Sequence, residues 1–507
     1  MKKESLLAIF KMRPWMWVVL LAATLAAGFA IRMIDLTDLP LDFAPTRQLF
    51  SALKARGMYY QYVTDAPEWQ REAAISLGGV GDFEPPIIET IVSQTYRITG
   101  EHIWIARIYS SLFWVLGGLA LFLLIREMTS NGPALIGTLF YLFVPFGVQA
   151  SRAFQPDPLM TALLVYYLWA LFRWQNTRSW KWAILTGVFG GLALFAKNVS
   201  IFFIAGGLAG VVFGILGLKQ AIRNLQVWVA GIMILLPSVI YSLVSPATSG
   251  ALGGYFAMQF YPEMWIDPAF YFRWEYVINY ITGFGTTLLA ALSIFITDKK
   301  RERPLLAGLW IGYILYGLVF SYATYTHYYY QLPLIPLVAL SISPMLHLFF
   351  DRFLKRSPGF LPRLVLVGLA LGGLSVQAWY SRNTLVNNEY RHEAAFWAEI
   401  GDTLGHNASV VGLTQDYGYR LAYWGYQNSS AWLTSGDINA RYMAGIDIDL
   451  LEMFQEETAG KQYFLVTMFG EFNNQPAIQE LLYANYPIYA ETDEYIIFDL
   501  QHPLTQP

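Results

Sequence analysis

The segment Leu39–Arg56 (LPLDFAPTRQLFSALKAR) sets a carboxylate, Asp42, close to a cation, Arg47. The first is a group that takes a proton from a hydroxyl or amine, and the second a group that holds an anion. Two more acids stand beside prolines: Asp157 in QASRAFQPDP, residues 149–158, and Glu84 in Phe83-Glu-Pro-Pro-Ile. Further cations are Arg152, Lys197, Arg273 and His327, the last opening the run His327-Tyr328-Tyr329-Tyr330. Carboxylates and cations interleaved in this way suit proton abstraction beside a phosphate-bearing substrate. Each also has a plainer reading. Asp42 can be a solvated loop acid or cap a helix starting near Pro45. Asp157 and Glu84 precede prolines and can act as helix caps. Lys197 can snorkel to a membrane interface. The tyrosines can form an aromatic belt or stack on a sugar.

The elements that must position these residues are set by composition. Of 507 residues, 55% are hydrophobic and only 14% charged, which fits a polytopic membrane protein rather than a soluble domain. The net charge of −3 gives no reason to expect a nucleic-acid partner. With no cysteine, disulfides, iron–sulfur clusters and thiol catalysis are excluded. The six histidines form no close pair, so no metal site and no cofactor are predicted, with a divalent metal left open.

Apolar runs of spanning length fall at 15–32, 104–125, 133–150, 158–172, 182–196, 199–218, 226–245, 276–297, 304–322, 329–349 and 363–380, about eleven spans. The first is read as a retained span rather than a cleaved signal peptide. With the N-terminus in the cytoplasm, the short inside segments hold eighteen Lys and Arg, against only Arg152, Lys197 and Arg273 in the short outside loops. That asymmetry follows the positive-inside rule and puts the C-terminus outside. Asp42, Glu84 and Asp157 then share the outer face.

Three outer regions are long. Residues 33–103 carry two helical pieces, 46–60 and 86–98, amphipathic enough to lie along the membrane surface. Residues 245–275, rich in Gly and aromatics, read as a mobile loop or lid. After a membrane module spanning 1–382, composition turns soluble at 383–507. There strand-like runs 409–413, 463–467 and 494–498 alternate with helical ones at 392–404, 448–457 and 475–483, predicting a small α/β domain outside the membrane. Asn407-Ala-Ser fits a glycosylation acceptor but is a common tripeptide.

The order of the charged motifs resembles the GT-C membrane glycosyltransferases, in particular bacterial protein O-mannosyltransferases and aminoarabinose transferases. The resemblance rests on Asp42 with Thr46-Arg47 after the first span and Glu84-Pro85-Pro86 before the second. It continues with Arg152 and Asp157-Pro158 at the fourth, Lys197 after the fifth, and His327-Tyr328-Tyr329 at the tenth. It covers about residues 10–350. It implies a helical GT-C module, a polyprenyl-phosphate-linked sugar donor, membrane lipids as surroundings, and a protein, lipid or polysaccharide acceptor. It also implies a catalytic acid from the first outer loop, here Asp42, and phosphate-binding cations among Arg47, Arg152, Lys197 and Arg273. This chain departs from the pattern at two places. Ala44-Pro45 stand where the aminoarabinose enzymes have Asp-Glu, and Pro85 stands where they have Lys. The base is therefore Asp42 shifted by two residues, or Glu84 or Asp157. The competing class is a transporter or flippase of a lipid-linked sugar, which the scarcity of mid-span charges and the lack of an inverted repeat disfavour. A non-catalytic anchoring protein is a third reading.

Overall fold

The computed structural model describes residues 13–79, 84–245, 259–297, 301–356, 360–443 and 446–504. Lys2, Lys3, Lys11, Phe83, Lys299, Lys300 and residues 246–258 of the expected lid lie outside them. The chain divides into two compact units. The first comprises residues 1–37, 81–88 and 104–388, and the second 38–80, 89–103 and 389–507.

The first unit is helical. Among the described residues five helices are long and apolar enough to cross a membrane: Pro14–Arg32, Ile105–Met128, Asn198–Leu216, Leu225–Val244 and Tyr328–Phe353. The chain is a membrane protein. The apolar run 276–297 is not one straight helix: Gly283, at φ 78°, separates Pro268–Thr282 from Phe284–Ile296, and the two pieces meet at 92°. Counted together they make a sixth span. The higher number read from the sequence also counts two unbroken helices, Asp157–Thr177 and Phe360–Val386, and three shorter or broken runs. Trp180–Ala196 and Arg303–Val319 have 17 residues each, and the run 133–150 breaks at Val144 into Asn131–Phe143 and Pro145–Ala150.

Between helices in lipid the hydrophobic effect is weak, so close backbone approach has to hold the bundle. Helices Ile201–Val211 and Arg303–Val319 meet through two Gly-x-x-x-Gly stripes, Gly206/Gly210 and Gly308/Gly312. A Cβ on Gly308 would land on the Gly206 carbonyl, and one on Gly210 on the Pro304 carbonyl. Helices Ile105–Met128 and Asn131–Phe143 lock by stacked Trp114 and Tyr141 rings, 4.2 Å apart and within 5° of parallel. Each ring donates to the other residue's carbonyl at 3.2 Å.

The second unit contains a five-stranded sheet in the order β2-β1-β3-β5-β4: β1 Val410–Leu413, β2 Ser430–Ala431, β3 Tyr463–Val466, β4 Ile488–Glu491 and β5 Ile496–Asp499. β2, β1 and β3 run parallel, while β5 is antiparallel to both β3 and β4. Apart from Tyr463 and Asp499 at strand ends, the central strands β1, β3 and β5 carry no polar side chain, because both faces are covered. One face packs Val411, Leu413, Phe464, Val466 and Phe498 with Trp432 and Phe454; the other packs Val410, Leu465 and Ile497 with Trp397, Ile400 and Leu421.

Helix Pro45–Tyr60 belongs to the same unit, and it does not lie on a surface as its pattern predicts. Ten consecutive residues, Gln48 to Gly57, are buried, and at 3.6 residues per turn that is every face. Its polar groups are buried with partners. Ser51 Oγ donates to Glu89 at 2.7 Å, Arg56 Nε to Glu101 at 2.8 Å, and Arg56 also donates to the Tyr423 carbonyl.

Candidate functional site

Three chain breaks in the first unit bring charged side chains together. Helix Asp157–Thr177 starts with Asp157 itself, since Pro156 holds the cap position. The carboxylate is therefore in the first turn, where the helix dipole favours it, rather than serving as the cap. Helix Trp180–Ala196 ends at Lys197, which is extended (φ −160°, ψ 121°) before the short turn Asn198–Ser200. Lys197 Nζ donates to both Asp157 oxygens, at 3.0 and 2.8 Å, with each side chain 1% exposed. Glu84 Oε1 lies 4.0 Å from the same ammonium.

The third break is the turn Tyr328–Gln331. Lys197 Nζ sits 4.6 Å from the Tyr330 ring centroid and 5.2 Å from that of Tyr329. Two acids and two π faces thus surround one buried cation, which offsets the desolvation of the ammonium. His327, immediately before that turn, meets the rings of Tyr329 and Tyr330 edge-on at 5.5 and 5.8 Å, and its Nδ1 lies 2.6 Å from Thr326 Oγ1. Burial, and then the positive charge of Lys197, lower its pKa, which favours the neutral imidazole.

Arg273, on helix Pro268–Thr282, donates from Nε to the Tyr325 carbonyl at 3.0 Å and from Nη2 to Tyr328 Oη at 2.9 Å. The Tyr328 ring is 5.4 Å from that of Tyr280, which in turn lines a cavity of about 580 Å³ with Phe140, Phe143, Pro145, Thr286 and Leu374. Arg152 is 2% exposed, and its two guanidinium ends donate to the Ile34 and Asp35 carbonyls at 2.6 and 2.8 Å. Arg107 reaches the Asp35 and Leu36 carbonyls from the next helix, at 3.4 and 3.0 Å. These two arginines fix the chain as it leaves the first helix.

Asp42 and Arg47 stand in the second unit. Upstream of Asp42, Asp38 accepts the Tyr390 N–H at 3.0 Å and lies 3.9 Å from Arg391. Downstream, Ala44 is left-handed at φ 42° before Pro45, a conformation unusual for a residue with a Cβ. Thr46 Oγ1 donates to Asp416 at 2.9 Å, and the Arg47 guanidinium lies 5.2 Å from the Phe50 ring centroid. Asp416 is bound by Arg420 Nε at 2.6 Å, and Arg420 also pairs with Glu393 at 2.9 Å. Burial and then the negative charge of Asp42 raise the pKa of Tyr390, with Arg420 opposing.

Of the residues singled out in the sequence, Glu84, Asp157, Lys197, His327 and Tyr329 come together in one cluster, with Arg273 and Tyr328 joined to each other. Arg152 grips main-chain carbonyls. Tyr330, Tyr390, Asp416 and Arg420 were not singled out. Tyr330 could have been taken from the tyrosine run, and Asp416-Tyr417-Gly418 is a turn signal; Tyr390 and Arg420 carry none. Among the described residues no three His, Asp or Glu side chains gather as a metal-binding set.

Residues 83–243 match the family model of the dolichyl-phosphate-mannose-protein mannosyltransferases. Comparison with curated protein sequences gives no match. Among solved structures, the chain is similar to Cupriavidus metallidurans ArnT bound to undecaprenyl phosphate. The TM-score is 0.61 at 15% identity, over 95% of this chain and 97% of that one. It is also similar to the Archaeoglobus fulgidus oligosaccharyltransferase in complex with Zn and sulfate (TM-score 0.59, 12% identity, 94% of this chain and 73% of that). A third similar structure is A. fulgidus AglB with an inhibitory peptide and a dolichol-phosphate (TM-score 0.54, 12% identity, 96% and 75%). At these identities the likeness is one of fold.

Proposed function

We propose that this chain, which has the fold of the GT-C membrane glycosyltransferases, transfers a hexose or pentose from a polyprenyl-phosphate donor to an acceptor at the outer face of the membrane. The observation that carries the reading is the meeting of Glu84, Asp157, Lys197, His327 and Tyr329 at helix ends, with the Lys197 ammonium buried between two acids. Burying an ammonium is expensive, and where Arg107 and Arg152 grip main-chain carbonyls, Lys197 meets two acids. An enzyme that handles a lipid phosphate has a use for such a cation.

In the reaction, the donor's prenyl tail stays in the apolar region, for which the cavity beside Tyr280 is a suitable lining. Asp42 takes the proton of the acceptor hydroxyl or amine. The acceptor attacks the anomeric carbon as the bond from that carbon to the phosphate oxygen breaks, and polyprenyl phosphate leaves. Direct attack inverts the anomeric centre. Arg47, Lys197 and Arg273 stabilise the charge that develops on the leaving phosphate. Arg152, engaged with Ile34 and Asp35, serves by fixing the start of the loop that leads to Asp42. Glu84 and Asp157 hold Lys197 in place and are the alternative bases. Tyr328, Tyr329 and His327 supply ring faces and a neutral imidazole for the sugar.

Two of the similar structures hold undecaprenyl phosphate and dolichol-phosphate, the lipid class this reading requires. The acceptor is a protein, a lipid or a polysaccharide; the peptide in the AglB complex favours the first. The charge asymmetry of the loops supports a cytoplasmic N-terminus and an outer C-terminal domain over 383–507, in a cell or inner membrane.

The test is consumption of polyprenyl-phosphate sugars by the purified full-length protein in lipid, with native membranes supplying the acceptor. Wild type turns over, and Asp42→Asn binds donor but loses turnover. Equal turnover by both moves the base to Glu84 or Asp157. No consumption by either refutes transfer and favours movement of a lipid-linked sugar instead.

A further inference from the structure

The second unit places the acid-bearing turn between two contacts with the C-terminal domain. On one side of Asp42, Asp38 accepts the Tyr390 N–H; on the other, Thr46 donates to Asp416. The Thr46 contact is built rather than incidental. Asp416 and Tyr417 are both left-handed, at φ 53° and 55°, and Gly418 follows at φ 83°. Three such residues in succession turn the chain out of β1 so that the Asp416 carboxylate faces Thr46. Sustained left-handed backbone at residues with a Cβ persists only where its surroundings over-determine it. Here Arg420, tied also to Glu393 on helix Glu393–Leu404, grips the carboxylate at 2.6 Å. The Tyr419 ring meets Phe50 edge-on at 6.1 Å, one helical turn beyond Thr46. On the loop side, Ala44 is itself left-handed, and helix Pro45–Tyr60 begins at the next residue. The turn Asp38–Thr46 is therefore held at both ends, with Asp42 near its middle.

The geometry points to Asp416 as a positioning residue. Through Thr46 the C-terminal sheet domain holds the turn carrying Asp42 in its working conformation, and so takes part in turnover. This rests on Asp42 being the base. Rigid placement matters because a displacement of about 1 Å at a reacting group lowers a rate by up to about 100-fold. A bond that fixes the turn therefore acts on kcat, and a bond that merely supports the fold acts on the amount of folded protein.

The experiment uses full-length protein in lipid, polyprenyl-phosphate hexose as the donor and native membranes as the acceptor source. Kinetics and thermal midpoint are measured for wild type, Thr46→Val, Thr46→Ser, Asp416→Asn, the Thr46→Val/Asp416→Asn double variant, and Asp42→Asn. Thr46→Val is expected to lower kcat by about 10- to 100-fold, with donor KM within about twofold of wild type. Thr46→Ser restores most of kcat, because the hydroxyl returns. Asp416→Asn adds no further loss of kcat on the Thr46→Val background, because Asp416 reaches the turn through the Thr46 bond, while loss of its Arg420 pair is read in the thermal midpoint. The inference is overturned if Thr46→Val turns over like wild type while Asp42→Asn is inactive. It is equally overturned if losses track the thermal midpoint, or if the two single effects multiply. Should Asp42→Asn itself keep wild-type turnover, the assignment of the base fails and this inference with it.

Discussion

Replacing Asp157 by Asn tests the centre of the cluster most directly. Lys197 and Asp157 are each 1% exposed and joined by two bonds. Removing one partner of such a pair leaves an uncompensated buried charge, which costs about 3–5 kcal/mol. Glu84 remains 4.0 Å from the ammonium, where two charges still attract by about 4 kcal/mol at the effective dielectric of a partly wet site. Asp157→Asn should therefore lie at the low end, near 3 kcal/mol. Lys197→Met/Asp157→Asn removes the buried pair and should recover about 2 kcal/mol of that loss, because a buried pair exchanged for neutral groups is close to neutral and the remaining Glu84, 15% exposed, keeps contact with solvent. The assay is equilibrium unfolding of the full-length protein in mixed micelles, followed by tryptophan fluorescence, with turnover measured on the same samples. If the cluster works on the donor phosphate, the double variant regains stability and stays inactive. Stability of Asp157→Asn equal to wild type would refute the reasoning. So would recovery of turnover by the double variant, which would make the pair a fold element only.

Two further expectations follow from the same geometry. The pKa of His327 is lowered in the folded state by burial and then by Lys197, so unfolding takes up a proton in mildly acid solution. Stability should be fully present above about pH 6.5 and fall as pH drops below it, and His327→Gln should flatten that slope in thermal midpoints. Gly308→Val should prevent the close approach of helices Ile201–Val211 and Arg303–Val319 and sharply reduce folded yield on size exclusion. Gly231→Ala, at a position open to space, should leave the yield unchanged.

Local pattern made much of this molecule legible. The strand runs 409–413 and 463–467 agree with β1 and β3 to within one residue, and 494–498 is displaced by up to two from β5. Helix 392–404 is nearly exact as Glu393–Leu404. Those segments carry period and propensity in their own residues. β2 has two residues and β4 is largely exposed, so neither offers an apolar run to detect. Helix Pro45–Tyr60 looked like a surface helix because Gln48, Ser51, Lys54 and Arg56 are polar, yet all four are buried. In the site, Asp157 and Lys197 stand out because charges are rare in the short outer loops. Their pairing does not, because 40 residues separate them. Asp416 is 370 residues from Thr46, and nothing in either neighbourhood announces the other.

The second unit is assembled from residues 38–80, 89–103 and 389–507, so residues 104–388 must be made before its last part exists. At about 5–20 residues per second, the ribosome needs on the order of 15–60 s to cover that distance. During that interval Arg56 lacks the Tyr423 carbonyl and Thr46 lacks Asp416, because both partners are still unwritten. The loop carrying the proposed base is thus left waiting while the whole bundle enters the bilayer, and it acquires its final shape only when the tail arrives. Order of synthesis thereby delays completion of the acid-bearing loop until residues 389–507 have been made.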